Sequence, residues 1–259
     1  FGANGDTYIK CAVWPDAHGT ETLREVIANS CNDAMMQIAA RMGTESFLKA
    51  QTLFNFGSRT GIDLPNEGSG VIHTTDTMGE TELACSAFGQ GFTCTMLQEI
   101  SAMCSVINGG YYYEPHIVKQ ILNESGSVVK KNDRLLVRET VSASTSDFIR
   151  RALVRTVAEG TGKAAQVAGY EVGGKTGTSS NHSDAWFVGI SPNLVGGAWV
   201  GGEYRSIHFR TGELGQGSRT ALPVFGYFME KVLANPELAA LYAKKFPSPK
   251  EKLDRSWDC

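Results

Sequence analysis

The apolar residues change period along the chain, helical at first and alternating later. From Thr20, the spacing of Leu23, Val26 and Ile27 predicts a helix with Thr20 as its N-cap, and the pattern stops at Asn29-Ser30-Cys31. A second helix restarts at once, with Asn32 as the expected cap, Ala34, Met35, Ile38, Ala39 and Met42 as its apolar face, and Gly43 as its C′ residue. Ser30 and Asn32 therefore fall at a junction between two helices, where side chains can point away from both cores. A third helix, Glu45 to Asn55, leads into a Gly/Pro-rich loop from Gly57 to Gly70 that reads as an ordered surface connection. Thr95 then caps an apolar helix through Leu97, Ile100, Met103, Cys104 and Ile107, closed by Asn108-Gly109-Gly110 and expected to be central.

Residues 111 to 140 alternate short β-like pieces (Ile117-Val118, Ile121-Leu122, Val128-Val129, Leu135-Leu136-Val137) around the turn Glu124-Ser125-Gly126-Ser127, which predicts a peripheral hairpin with the Tyr111-Tyr112-Tyr113 cluster packed under it. Helical period returns from Thr145 to Glu159 and ends at Gly160-Thr161-Gly162. Three β-like runs follow, Gly174 to Ser179, Asp184 to Ile190 and Val195 to Gly201, joined by turns of hairpin length. They predict an antiparallel sheet, with an amphipathic helix from Arg219 to Leu233 over one face and a weakly ordered tail over residues 244 to 259. Helices followed by an antiparallel sheet and a closing helix give an α+β fold, here placed in residues 1 to 243.

Composition narrows the partners. The 259 residues are 42% apolar and 20% charged with a net charge of −3, so a large core is available and nothing suggests a nucleic-acid partner. No run approaches the roughly 18–20 apolar residues of a membrane-spanning helix. The chain starts at Phe1, so the beginning reads as a cut end before which an anchor or export signal could stand. Six cysteines (Cys11, Cys31, Cys85, Cys94, Cys104, Cys259) form no C-x-x-C pair and no metal-like spacing with the histidines, and free buried thiols are the simple reading; a disulfide stays open if the domain is exported. His73, His116, His182 and His208 are scattered without ligand spacing, and neither a metal nor a cofactor is expected.

Two strings carry chemistry: Ser30-Cys31-Asn32 at the helix junction and Gly174-Lys175-Thr176-Gly177-Thr178 on a predicted strand. An S-x-N string alone is no more than an N-cap cluster. The second is sharper, since Gly177 bares one strand face to an approaching backbone while Lys175 and two hydroxyls cluster beside it. In this order they resemble the second and third motifs of the penicillin-recognising serine acyltransferases. His18-Gly19, Asp63-Leu64-Pro65 with Glu67-Gly68, Phe88-Gly89-Gln90-Gly91, Thr95 with Leu97-Gln98, Asn108-Gly109-Gly110 and Gly160-Thr161-Gly162 are similar to further landmarks of penicillin-binding-protein transpeptidase domains.

The resemblance implies a β-lactamase/transpeptidase-like fold, an antiparallel sheet flanked by helices, and acyl transfer from the D-Ala-D-Ala end of a peptidoglycan stem peptide, which β-lactams mimic. Ser30 would relay a proton to the leaving nitrogen, Asn32 would hold the donor's backbone, and Lys175 would supply positive potential. Thr176 and Thr178 would offer hydroxyls to the carboxylate, the Thr178 N–H would face the oxyanion, and the strand through Gly177 would pair with the substrate. Other cell-wall synthesis proteins are possible partners, and the implied place is the extracytoplasmic face of a bacterial inner membrane.

The family's first motif, S-x-x-K, carries the nucleophile and precedes S-x-N, yet Ser30 is the first serine in the chain. The expectation is therefore a domain lacking its nucleophile and part of its helical subdomain, inactive as it stands. Ser46-Phe47-Leu48-Lys49 and Ser127-Val128-Val129-Lys130 match the string but follow S-x-N, and an exposed helix pair and a hairpin edge are their simpler readings. Up to Gly177 the wording resembles class B enzymes, whereas Asn181 to Phe187 and Gly197 to Glu203 resemble class A. Two alternatives remain: a serine β-lactamase or D,D-carboxypeptidase relative, and a non-catalytic remnant that binds cell-wall peptides or a partner.

Overall fold

A computed structural model describes residues 8–248. Its centre is a three-stranded antiparallel sheet of β5 (Gly173–Thr178), β6 (Asp184–Ser191) and β7 (Leu194–Gly201), with β6 in the middle and β5 at one edge. Along β6 the side chains alternate between two cores. Ala185 and Phe187 meet Leu222, Phe225 and Met229 of α8 (Ala221–Ala234), the Phe187 and Phe225 rings lying 5.2 Å apart. Ile190, on the opposite face, packs with Ile107 of α5 (Met96–Ile107) and Leu153 of α6 (Ala143–Ala158). Glycines let these layers close: a Cβ at Gly189 would sit 2.2 Å from the Phe225 ring, and one at Gly173 would sit 2.8 Å from the backbone of α6.

Before the sheet come α1 (Leu23–Asn29), α2 (Asn32–Met42), α3 (Thr44–Leu53) and α4 (Glu80–Ala87); α2 and α4 pack together around Ala39, Met78 and Leu83. The cap of α1 is Thr22 and not Thr20, because Thr22 and Glu25 form a capping box in which each side chain takes up the other's backbone N–H. Asn32 is the first helical residue of α2, and no side chain caps that helix, so the Asn32 amide is not spent on capping. The short α4 went unread because its window mixes charged and small residues without a clear apolar stripe.

Residues 111–139 form two nested antiparallel pairs, β1 (Tyr111–Tyr113) with β4 (Leu136–Glu139) and β2 (Gln120–Leu122) with β3 (Val128–Lys131). Of the three tyrosines only Tyr112 is buried. Ile117 and Val118 are not in a strand: their N–H groups donate to Asp63 at 2.8 and 2.9 Å, which ties the arm to the Gly/Pro-rich loop. Short α7 (Gly212–Gly215) and α9 (Pro236–Ala239) flank α8. The start of the expected tail is docked, since the Phe246 N–H donates to Glu171 at 2.7 Å and its ring packs beside Leu153 and Ile190. Residues 249–259, with Cys259, lie outside the described residues.

Gln98 ties the first half of the chain to the core. It completes the capping box of α5 with Thr95, and its fully buried Nε2 donates to the carbonyls of Ser58 and Ser69, each at 2.7 Å. Replacing it with an apolar group leaves those carbonyls without a donor. Gln98→Leu is expected to lower stability by about 2–4 kcal/mol, read as a fall in the urea midpoint without a change in slope; a change below about 0.5 kcal/mol would show that water replaces the amide.

Candidate active site

Ser30 ends α1 with φ 59° and ψ 47°, a left-handed conformation that a serine adopts only when its surroundings hold it there. The Cys31 N–H donates to the Val26 carbonyl at 3.0 Å, closing the helix end. The sharp reversal into α2 turns the Ser30 hydroxyl out of both helices. It meets Lys175 of β5, whose Nζ donates to Ser30 Oγ at 2.8 Å and to the Thr176 carbonyl at 3.0 Å. The two S-x-N and K-T-G-T strings, 145 residues apart, thus meet through one hydrogen bond.

The approach of α1 to β5 rests on Gly160. A Cβ there would lie 2.3 Å from the Ala28 carbonyl, so only glycine lets the end of α6 touch α1. The next residue, Thr161, donates its N–H to Ala28 at 3.3 Å and shares a hydrogen bond with the Thr176 hydroxyl at 3.0 Å. Arg155 of α6 reaches Glu25 of α1 at 3.3 Å.

Strand register decides which groups are open. The Ser179 N–H donates to the Asp184 carbonyl, so odd-numbered residues of β5 exchange hydrogen bonds with β6 and the backbone groups of Gly174, Thr176 and Thr178 face the free edge. Gln90 Nε2 donates to the Thr178 carbonyl at 3.3 Å from that side. The Thr178 hydroxyl accepts the Gly217 N–H at 3.0 Å, which leaves its own proton available. Gly217 fits there because a Cβ would lie 2.3 Å from the carbonyls of both Gly177 and Trp186.

Burial of the Lys175 ammonium drives its pKa down to about 8. An amine poised near neutral pH, donating to a hydroxyl, suits proton transfer better than a solvated lysine does. Asn32 follows Cys31 at the same junction, but the hydrogen bonds of Lys175 go to Ser30 and Thr176, so the structure brings Ser30, Lys175 and Thr176 into contact and leaves Asn32 beside them. Thr161 and Gly217 were missing from the reading of the sequence as site residues. Thr161 was visible inside Gly160-Thr161-Gly162, read as a helix stop and as a family landmark but not as a site residue, whereas Gly217 carried no local signal.

The later S-x-x-K strings are elsewhere. Ser46 is exposed on α3, where Lys49 pairs with Glu45 at 2.8 Å, and Ser127 lies in the turn between β2 and β3. Asp184 anchors the Trp199 indole at 3.1 Å beside Trp186, so this acid and its aromatic neighbours hold the sheet end together.

An α-helical layer joined to an antiparallel sheet, with an S-x-N serine held against a K-T-G lysine on the edge strand, matches the fold and motif order of the penicillin-recognising acyltransferase group. The profile described as Penicillin binding protein transpeptidase domain matches residues 4–201, and the chain belongs to that family. It is 37% identical over 231 residues to Stage V sporulation protein D of Bacillus subtilis, covering 85% of this chain and 35% of that protein. It is 25% identical over 271 residues to Peptidoglycan D,D-transpeptidase MrdA of Acinetobacter baumannii, covering 91% of this chain and 38% of that one. Penicillin binding protein 3 of Mycobacterium tuberculosis, solved in complex with ampicillin, superposes with a TM-score of 0.70 at 25% identity, over 90% of this chain and 54% of that chain. The chain thus spans about a third of the length of these two relatives.

Because the folded value of Lys175, about 8, lies below its ordinary 10.5, the folded state binds fewer protons there than the unfolded chain. The resulting penalty is full below pH 8 and is relieved as pH rises to 10.5. Lys175→Met removes this dependence. Between those pH values wild type should gain about 2–3 kcal/mol relative to the variant in denaturant titrations; parallel pH profiles would mean that Nζ is hydrated.

Proposed function

We propose that this chain supplies the proton-relay and carboxylate-binding side of a peptidoglycan D,D-transpeptidase site, which acts on stem peptides ending in D-Ala-D-Ala and is mimicked by β-lactams. The hydrogen bond from Lys175 to Ser30 carries the reading. With Lys175 donating to its oxygen, the Ser30 hydroxyl directs its proton toward a leaving amine and is reprotonated by the lysine, so one proton passes along the pair with no charge left on the serine. Lys175 also supplies the positive potential for the terminal carboxylate of the donor. The free Thr178 proton and the Thr176 hydroxyl lie on the same short strand and provide hydrogen bonds to that group.

The open edge of β5 supports pairing with the substrate as an added strand, and the outward N–H of Thr178 supports its role as an oxyanion donor. Asn32, unspent on capping, is assigned to the substrate's backbone amides. The reading extends to action at the extracytoplasmic face of a bacterial inner membrane; among the described residues no helix is long and apolar enough to cross a membrane.

Titration of the chain with a synthetic stem pentapeptide ending in D-Ala-D-Ala, followed by NMR, tests the carboxylate side. Lys175→Met and Thr178→Val are each expected to weaken binding by about tenfold or more, as loss of a charge-assisted hydrogen bond does. Unchanged affinity in both would remove the assignment. Peptide mapping after incubation with a fluorescent penicillin adds a second readout: an ester on Ser46 would place the nucleophile on α3, against the exposed position described above.

A further inference from the structure

The segment before α1 returns to the helix junction and brings together three side chains that the sequence keeps apart. Donor atoms of Cys11, His18 and Cys31 all lie within 4.8 Å of one another, and Cys11 Sγ is 3.6 Å from His18 Nδ1. With Zn–S near 2.3 Å and Zn–N near 2.0–2.1 Å, a tetrahedral zinc site has an S···N edge of about 3.6 Å and an S···S edge of about 3.8 Å. The Cys11–His18 pair thus already stands at ligand spacing, and the rest closes with movements of roughly 1 Å. No metal-like spacing in the sequence announced this cluster, because its members come from a loop and a helix junction, outside any short spacing rule.

Glu21, which accepts the Asn29 side-chain N–H on Oε1 at 2.5 Å, stands at the margin of this cluster. His18 and Glu21 also line a cavity of about 320 Å³ beside α1 that gives access from solvent.

We propose that Cys11, His18 and Cys31 bind a zinc ion in a Cys₂-His site. Two thiolates and an imidazole favour Zn²⁺ over hard cations, with the fourth position taken by solvent from the adjoining cavity. Binding releases the two thiol protons to solvent and leaves a site of net charge zero. Its effect follows from position: Cys31 stands between Ser30 and Asn32, so the ion fastens the segment around Cys11 and His18 to the middle of the S-x-N string and fixes the reversal that aims Ser30 at Lys175. That consequence rests on the functional reading above, but the metal site itself does not.

The test uses the untagged chain, purified under reducing conditions, with metal content measured by mass spectrometry and cobalt substitution followed by absorbance. One equivalent of zinc, and a thiolate-to-cobalt charge-transfer band after exchange, are expected. Cys11→Ser should lose both, His18→Gln should weaken metal affinity by at least about tenfold, and Cys85→Ser should keep full occupancy. Circular dichroism on His18→Gln, whose side chain is half-exposed, separates ligand loss from unfolding. The proposal is overturned if the reduced chain holds no zinc after dialysis against it, if Cys11→Ser retains the charge-transfer band, or if intact mass shows Cys11 and Cys31 joined as a disulfide under those conditions. Peptide binding measured with and without zinc keeps the two readings distinct, since a zinc-loaded chain that fails to bind peptide would sink the functional assignment alone.

Discussion

Holding a lysine ammonium away from water beside a serine hydroxyl is the constraint around which the rest of this chain is arranged. Burial costs the charge, so Lys175 is held in place only because Ser30 and the Thr176 carbonyl accept its protons. Each partner is fixed by a different device. Ser30 is held in a left-handed turn between two helices, and Thr176 by the strand that also carries the lysine. Neither device works without the other, because a helix end that drifted by an ångström or two would leave the ammonium with one acceptor.

Close backbone contact supplies the required precision. Gly160 brings the end of α6 against Ala28, Gly173 brings β5 against the middle of α6, and Gly217 crosses over Gly177 and Trp186. At these three points a side chain would collide with main-chain atoms, which cannot swing aside as a flexible side chain can. The three glycines therefore set the distances between α1, α6 and β5, and they explain why a chain so rich in glycine builds a rigid site. Apolar packing by Phe187 and Phe225 stabilises the sheet, but packing alone tolerates small shifts that a 2.8 Å hydrogen bond does not.

Much of this was legible in the sequence. The helix through Ile107, the three strands of the central sheet and the closing helix each carry a strong period, and burial on one face enforces it. The S-x-N and K-T-G-T strings were legible because in this order they resemble the second and third motifs of the penicillin-recognising serine acyltransferases, whereas S-x-N alone reads as an N-cap cluster. The misreadings have two kinds of cause. Thr22 outcompetes Thr20 through a local capping box with Glu25 that the Thr-x-x-Glu spacing itself contains, whereas Ile117 and Val118 leave the β pattern because Asp63, far away in sequence, takes both of their N–H groups. Gly217 belongs to the site through a contact with Thr178 that no local pattern encodes, and Thr161, although inside a landmark string, does so through a contact with Thr176 fifteen residues away.

The same reasoning explains why the edge of β5 stays open. An exposed edge is a hazard, since any extended chain can pair with it. Here the edge is short, six residues long, and the Gln90 amide already occupies the Thr178 carbonyl at its end. The Thr176 carbonyl is taken by Lys175, and among the described residues the outward N–H groups of Thr176 and Thr178 are left, where under the proposed function an incoming peptide would gain backbone hydrogen bonds beside the cationic and hydroxyl groups. A long edge would accept any strand. Under the proposed function, a short edge flanked by a buried ammonium would favour a segment that ends in a negative charge, and edge length and charge placement would together set that preference.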